Sequence, residues 1–418
     1  MTGLSGGAGK RRVVISGMGA VSAAGVGANK LWAAARDGVT QIRELKTQRP
    51  YDGRIRIAGQ VPDFDPAAHI EPEFLPFCDP FTQFTIVAAD EAMAQAGFAR
   101  KDLAGPRTGV IIGSGIGGMT TIDNGLYRYY TEFIRPDPFS VPRLIPSAAP
   151  TTLGMRYSCT GPTFSVGSAC SSASQATGIG LQMIRSGLID RAIVGGAEAC
   201  VINGTIRAWE GLRVMTPDFC RPFSKGRNGM SLGEGAAVFI LETLEAAEER
   251  GREPLCELVG YGTTSDAKDF VRPDLEGVTN AMLAALADAG LGPDDIDYVN
   301  AHGTATHAND ITEAAAINRA FGDHAARLPV SSSKPVHGHA LGAGAGLELV
   351  VTIGALREQI ASPTINFLEY DPRCPIDAVP NEARPLAIRA AMSNSFAFGG
   401  INAVLIVRAL ERGGADGR

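Results

Sequence analysis

Short apolar runs that break on glycine-rich turns recur along the chain, each followed by a stretch with helical spacing. Residues 13–16 run into Gly17-Met-Gly-Ala-Val-Ser-Ala-Ala-Gly25, and a helix is predicted over 29–37. Residues 109–112, 191–194 and 233–241 read as buried strands, because apolar residues stand in unbroken blocks between turn residues. Helices are predicted over 81–97, from Cys170 to about 186, and over 242–252. The first ends at Gly97, a residue suited to a left-handed helix terminus, and the last is charged enough to lie on the surface. Strand, glycine turn, helix is the grammar of an α/β protein.

The second half repeats it, with helices predicted over 278–289, 310–321 and 344–357 and strands over 298–301 and 328–331. Two passes through one order of elements imply an internal duplication, with halves at 11–258 and 259–411 and flexible tails at 1–10 and 412–418. Phe164-Ser-Val-Gly-Ser-Ala-Cys170 precedes one small-residue helix as Leu328-Pro-Val-Ser-Ser-Ser-Lys334 precedes another. That parallel predicts Cys170 and Lys334 as symmetry-related residues facing a shared interface.

Composition narrows the class. The 418 residues are 45% hydrophobic and 20% charged, with 51 glycines, which suits a globular α/β chain with many close backbone approaches. A net charge of -6 argues against nucleic acid as a partner. Seven scattered cysteines without a CxxC pair outline neither a disulfide framework nor a cysteine zinc site. With no apolar stretch long enough for a membrane span and no leader-like start, a cytoplasmic protein is expected.

Cys170 is the first candidate for chemistry. A thiol at a helix start meets unpaired N–H groups and the positive end of the dipole, which favour thiolate. Its small neighbours Ser168, Ala169, Ser171, Ser172 and Ala173 leave room for an acyl group. Taken alone, a cysteine in an alanine-rich helix is more often a small buried hydrophobe. Four of the six histidines, 302, 307, 337 and 339, fall in two small-residue loops. His337-x-His339 with His302 has the outline of a zinc triad, but no carboxylate or cysteine spacing completes it, and no metal is expected. Asp310-x-x-Glu313 reads as a capping box with Asp310 as the cap. Gly113-Ser-Gly-Ile-Gly-Gly118 satisfies the dinucleotide pattern, yet it stands far into the chain before a tyrosine-rich segment. A glycine loop lining a narrow tunnel is the better reading.

Four motifs together carry a family resemblance: the small-residue cysteine elbow at 168–174, Asn300-Ala-His-Gly-Thr304, Lys334 with Gly338-His339, and Asn394-Ser-Phe-Ala-Phe-Gly-Gly-Ile-Asn402. From about 11 to 411 the chain resembles a β-ketoacyl-[acyl-carrier-protein] synthase of the I/II type. The resemblance implies a thiolase fold, α/β in five αβαβα layers. It also implies decarboxylative condensation of malonyl-carrier protein with a Cys170-bound acyl chain, lengthening that chain by two carbons. Cys170 would be the nucleophile, and the amides of Cys170 and Phe398 the oxyanion hole, with Gly399 and Gly400 letting the gate loop bend close. His302 and His339 would assist decarboxylation, with Lys334 held by Glu313. Thr304 and Thr306 would bind the phosphopantetheine arm, and Ile116 and Trp209 would line the acyl pocket. No cofactor is implied beyond that carrier-bound arm, which removes the nicotinamide reading. The expected partners are an acyl carrier protein and a second copy of the chain, with 139–142 resembling the dimer interface.

Departures from the family pattern accompany the match. Ala397 and Ile401 replace a glycine and a threonine of the usual gate loop, and Trp209 stands where a smaller aromatic is common. The stretch Glu71-Pro-Glu-Phe-Leu-Pro-Phe-Cys78 is acidic and apolar where housekeeping synthases carry basic residues for the carrier. Arg207, Arg213, Arg221, Lys225 and Arg227 remain as docking candidates. The gate loop is similar to that of nodulation-type synthases, which points to a specialised member. The competing classes are a chain-length-factor-like subunit of a heterodimer, which typically lacks the cysteine, and a thiolase-fold enzyme of another type.

Overall fold

A computed structural model describes residues 10–410. Of the expected tails, residues 1–9 and 412–418 lie outside the described residues, and Lys10 is tied to Asp288 at 3.0 Å.

Among the described residues the core sheet has eleven strands, a short one at Gly25–Val26 beside the first and ten on its main path: β1 (Val13–Ser22), β2 (Thr108–Gly113), β3 (Thr163–Val166), β4 (Arg191–Glu198), β5 (Gly235–Thr243), β6 (Cys256–Ser265), β7 (Tyr298–Asn300), β8 (Val330–Ser331), β9 (Ala390–Ala397) and β10 (Ile401–Arg408). The first five lie in the order β3-β2-β4-β5-β1, and the last five in the order β8-β7-β9-β10-β6. β3 and β4 flank β2 in parallel, as β8 and β9 flank β7, and the remaining pairs in both halves are antiparallel. The duplication expected from element order is therefore present strand for strand. The two halves of the sheet join edge to edge where Val14 and Ile15 pair with Glu257 and Cys256. Because β6 begins at Cys256, a boundary at 258/259 would cut a strand, and we place the division just ahead of Cys256.

Helices complete the layers. Pro80–Ala96 (α1) packs outside β1 and β5, and Leu275–Ala289 (α3) packs outside β6 and β10 beside His307–Phe321 (α4). Ser172–Arg185 (α2) and Gly344–Glu358 (α5) lie between the halves of the sheet and touch strands of both. α1 shows why the sequence folds this way. Asp79 caps its first turn, Pro80 opens it, and Gly97 ends it at φ 72°. A Cβ on Gly17 or Gly19 would lie 2.0 Å from the carbonyl oxygen of Ala92 or Ala88, so only glycines let the alanine face of α1 rest on β1.

Three expectations change. The charged helix predicted over 242–252 is only Leu244–Glu249, because Glu242 belongs to β5 and is buried against Ser16 and Arg250. α4 begins at His307 after Thr306, so Asp310 is not its cap. The Asp310 carboxylate instead accepts from the amides of Phe223 (2.8 Å) and Ala305 (3.2 Å). Cys170 and Lys334 are not symmetry mates either. α2 is entered through a turn with Ala169 at φ 48°, and α5 through a turn with Leu341 at φ 45°. The residue matching Cys170 is thus Gly342.

Candidate active site

β3 delivers the chain to Ser168, and the left-handed Ala169 turns it sharply so that Cys170 stands ahead of α2. Such a conformation in a non-glycine residue costs on the order of 1–3 kcal/mol and needs support. The serines supply it: Ser172 accepts from the Ser168 amide (2.9 Å) and donates to the Ala169 carbonyl (2.7 Å), while Ser171 donates to the Ser168 carbonyl (2.8 Å). Cys170 is 6% exposed, and burial pushes its thiol up to about 12 against the downward pull of the Lys334 ammonium. Desolvation of the charge at this depth opposes the thiolate expected from the helix start. Alkylation of Cys170 by iodoacetamide should then rise about tenfold per pH unit from pH 7 to 10, since only the thiolate reacts. A plateau near neutral pH in peptide-resolved mass spectrometry would show a low thiol pKa instead.

His302 follows β7, and His339 follows the short turn Lys334–His337. His339 Nε2 lies 3.1 Å from Cys170 Sγ, and the two imidazoles meet edge to face at 5.4 Å. Burial and the nearby Lys334 charge hold both rings well below the ordinary histidine range, so both are neutral. Lys334 Nζ bonds the His302 carbonyl and the Glu348 carboxylate and stands 3.3 Å from His302 Nδ1. An ammonium only donates, so Nδ1 accepts and the imidazole proton sits on Nε2.

The carboxylate holding Lys334 is therefore Glu348, not Glu313. Glu313 accepts from the amides of His302 and Gly303, both at 2.8 Å, and shapes the histidine loop. Glu348 had a signal in the sequence, as the lone charge between 344 and 356 of a buried, otherwise uncharged helix segment. Removing it would leave the Lys334 ammonium, 1% exposed, without its bonded counter-charge. Glu348→Ala should cost about 3–5 kcal/mol in denaturant unfolding, and Glu348→Gln less. Equal loss in the two variants would mean that the charge is not what stabilises.

His337 leaves the zinc outline, because it sits in a helical turn with Nε2 3.0 Å from Ser333. Cys170, His302 and His339 do place donor atoms within 4.8 Å of one another, a spacing a cation could use. The proton on His302 Nε2 and the Lys334 charge behind that ring oppose one. The dinucleotide reading of 113–118 also falls, since Glu198 already takes the amides of Gly115 (2.7 Å) and Ile116 (3.2 Å) that a phosphate would need.

A cavity of about 90 Å³ opens over Cys170, His302 and His339, walled by Thr304, Thr306, Trp209 and Phe398. The Thr304 and Thr306 hydroxyls are 2.9 Å apart. Phe398 stacks on Trp209 at 5.5 Å, in a hairpin where Gly399 (φ 83°) and Gly400 (φ 69°) make the bend. The Gly399 amide donates to the Phe270 carbonyl (2.8 Å) and the Asp266 amide to the Gly400 carbonyl (2.8 Å), fastening the hairpin to its neighbouring loop. Ile116 lies outside this cavity but packs against the apolar cluster that holds Cys170 and Leu341. Of the docking candidates, Arg227 is excluded: it is 1% exposed and bound to Asp371 at 2.6 Å. Glu71 is held by Arg156 and Arg100.

Comparison with known proteins agrees with this geometry. The family model "Beta-ketoacyl synthase, N-terminal domain" matches residues 10–247, and "Beta-ketoacyl synthase, C-terminal domain" matches residues 255–368. The chain is 40% identical to Nodulation protein E of Rhizobium sp. (strain N33), over 95% of this chain and 99% of that one. It is 39% identical to 3-oxoacyl-[acyl-carrier-protein] synthase 2 of Staphylococcus aureus (strain N315), over 96% and 99%. A solved structure described as the ishigamide ketosynthase/chain length factor superposes with a TM-score of 0.92 at 34% identity, covering 96% of this chain and 100% of that one. The layered, duplicated architecture is thus the thiolase fold, and the chain belongs to the β-ketoacyl synthase family of condensing acyltransferases.

Proposed function

We propose that the chain extends carrier-bound acyl groups by two carbons, with Cys170, His302 and His339 touching the reacting atoms. The observation that carries this reading is the 3.1 Å approach of His339 Nε2 to Cys170 Sγ, with His302 beside them and Lys334 behind. Sγ attacks the thioester of an acyl carrier protein. The acyl carbon passes from the pantetheine sulfur to Sγ, and the thiol proton passes by way of His339 to the departing pantetheine thiolate. The amides of Cys170 and Phe398 hold the oxyanion.

With Sγ acylated, His339 Nε2 loses its sulfur partner, the ring exchanges its proton through solvent from Nδ1 to Nε2, and Nε2–H turns with His302 to the thioester carbonyl of malonyl-carrier protein. The bond to the carboxylate breaks, CO₂ leaves, and the electron pair forms an enolate stabilised by the two imidazoles. The enolate carbon then attacks the acyl group, the bond from the acyl carbon to Sγ breaks, and Sγ leaves as a thiolate that takes up a proton from solvent by way of His339. Neutral imidazoles suit this step, since a cationic ring near Lys334 would be costly. Lys334, Glu348 and Glu313 are positioning residues: the first fixes the His302 tautomer, the second neutralises Lys334, and the third holds the loop. Thr304 and Thr306 meet the pantetheine arm. No metal or other cofactor enters the scheme.

Phe398 is the gate, and Trp209 latches it. An aromatic pair contributes about 0.5–1.5 kcal/mol beyond its area. Trp209→Leu should speed acylation by long-chain thioesters by about 2–10-fold in stopped-flow assays. An unchanged rate would remove Trp209 from the gate.

The carrier docks through basic residues near the mouth, Arg213 foremost, and the protein works in the cytoplasm as a homodimer. Supporting a second copy, β3 is a sheet edge, and Tyr130, Phe133, Val141 and Met155 are 70%, 87%, 64% and 61% exposed. Sedimentation equilibrium tests the oligomer, and a monomer would overturn it. The gate loop with Ala397 and Ile401, similar to that of nodulation-type synthases, is what supports a specialised acyl product over a housekeeping one.

Incubating the purified protein with acyl-carrier proteins of several chain lengths, followed by intact mass spectrometry, tests the whole reading. The expected result is one acyl adduct on Cys170. No adduct with any carrier would favour a subunit that only shapes a tunnel.

A further inference from the structure

Glu198 ends β4 with no exposed surface, outside the cluster of Cys170, His302 and His339. Its carboxylate accepts four hydrogen bonds. Oε1 takes the Ser114 hydroxyl (3.2 Å) and the Ile116 amide (3.2 Å), while Oε2 takes the Gly115 amide (2.7 Å) and the Gly342 amide (3.0 Å). Three donors belong to the loop after β2, and the fourth comes from the turn before α5, in the other half of the molecule.

The repeat gives this carboxylate a meaning. Gly342 matches Cys170, so the Gly342 amide is the counterpart of the Cys170 amide assigned to the oxyanion. Glu198 closes β4 as Ala397 closes β9, one residue before Phe398. In one half the anion site is open to substrate, and in the other a side chain fills it. The fit is close: a Cβ on Gly342 would lie 2.3 Å from the Gly115 nitrogen and 2.7 Å from Glu198 Oε2.

We propose that Glu198 is a positioning residue that sets the depth of the acyl pocket. It holds 114–116 against the turn 341–343 and thereby fixes Ile116, which stands beyond the open cavity and packs against the apolar cluster that includes Cys170 and Leu341. This inference rests on the condensing-enzyme reading above. Glutamine at this position keeps the size but turns one acceptor into a donor that faces N–H or O–H donors. The loop is then pushed off the turn, Ile116 recedes, and the pocket deepens.

Acylation of Cys170 is measured across a ladder of carrier-bound acyl chains from six to sixteen carbons, with melting curves as a check on folding. Glu198→Gln should raise the ratio of fourteen- to six-carbon rates by about tenfold, the scale of one hydrogen bond lost and one donor left unpaired. Ser114→Ala, which removes one of the four donors and also the acceptor of the Gly117 amide (2.9 Å), should move it the same way by about two- to threefold and carries the test if Glu198→Gln does not fold. Glu198→Asp, which keeps all four acceptor sites, should hold the ratio within about threefold of the native chain. A ratio unchanged in the folded variants, or a ladder scaled down uniformly, overturns the role of Glu198 alone. Absence of acylation in the native chain overturns the condensing-enzyme reading and this inference with it.

Discussion

Cys170→Ala should abolish elongation, with the rate falling by about 10³-fold or more, because the covalent acyl intermediate cannot form. The fold should survive. Only Sγ is lost from a buried position, and the serine bonds that support the elbow run through Ser171 and Ser172, not through Cys170. The variant should still decarboxylate malonyl-carrier protein, since His302, His339 and Lys334 stay in place. Product chains resolved by mass spectrometry and CO₂ release measured together check both halves. Continued elongation would refute the covalent mechanism outright.

The second large effect is expected at His302. Its Nε2–H is assigned to the enolate oxygen, and losing one preorganised donor typically slows a step by about 10²–10³-fold. His302→Ala should therefore cut decarboxylation by that factor while leaving transfer of the acyl group to Cys170 near its native rate. The contact at Sγ belongs to His339, so His302 has no part in the first half-reaction. Lys334 keeps the Glu348 carboxylate in this variant, which limits collateral damage. Single-turnover acylation and malonyl decarboxylation, measured separately, give the two rates. A defect confined to acyl transfer would reverse the assignment of the two histidines.

Much of the molecule was legible before any coordinates. Strand runs, helix ends at Gly97 and the repeated order of elements are written locally, in blocks of apolar residues and in turn chemistry. The cysteine elbow, the two histidine loops and the glycine hairpin were likewise recognisable, because each needs small residues at set spacings. Partnerships were not. Glu313 and Glu348 are both buried acids on helices near Lys334, and nothing along the chain says which one meets the ammonium. Glu242 was assigned to a charged helix because its neighbours are charged, yet it lies inside β5. The register of the duplication slipped for a similar reason: the parallel between 164–170 and 328–334 is one of residue type, whereas the true match rests on the backbone angles of Ala169 and Leu341.

The sequence by itself determined the fold class, the duplication, the family and the candidate residues for the chemistry, since these depend on local pattern and on side chains that few other reactions need. Only the tertiary structure decided the state of Cys170, the pairing of Lys334 with Glu348, the proton on His302 and the place of Glu198. Each of these depends on desolvation and on hydrogen bonds between segments far apart in the chain, and both act through distance in space, which local pattern does not encode.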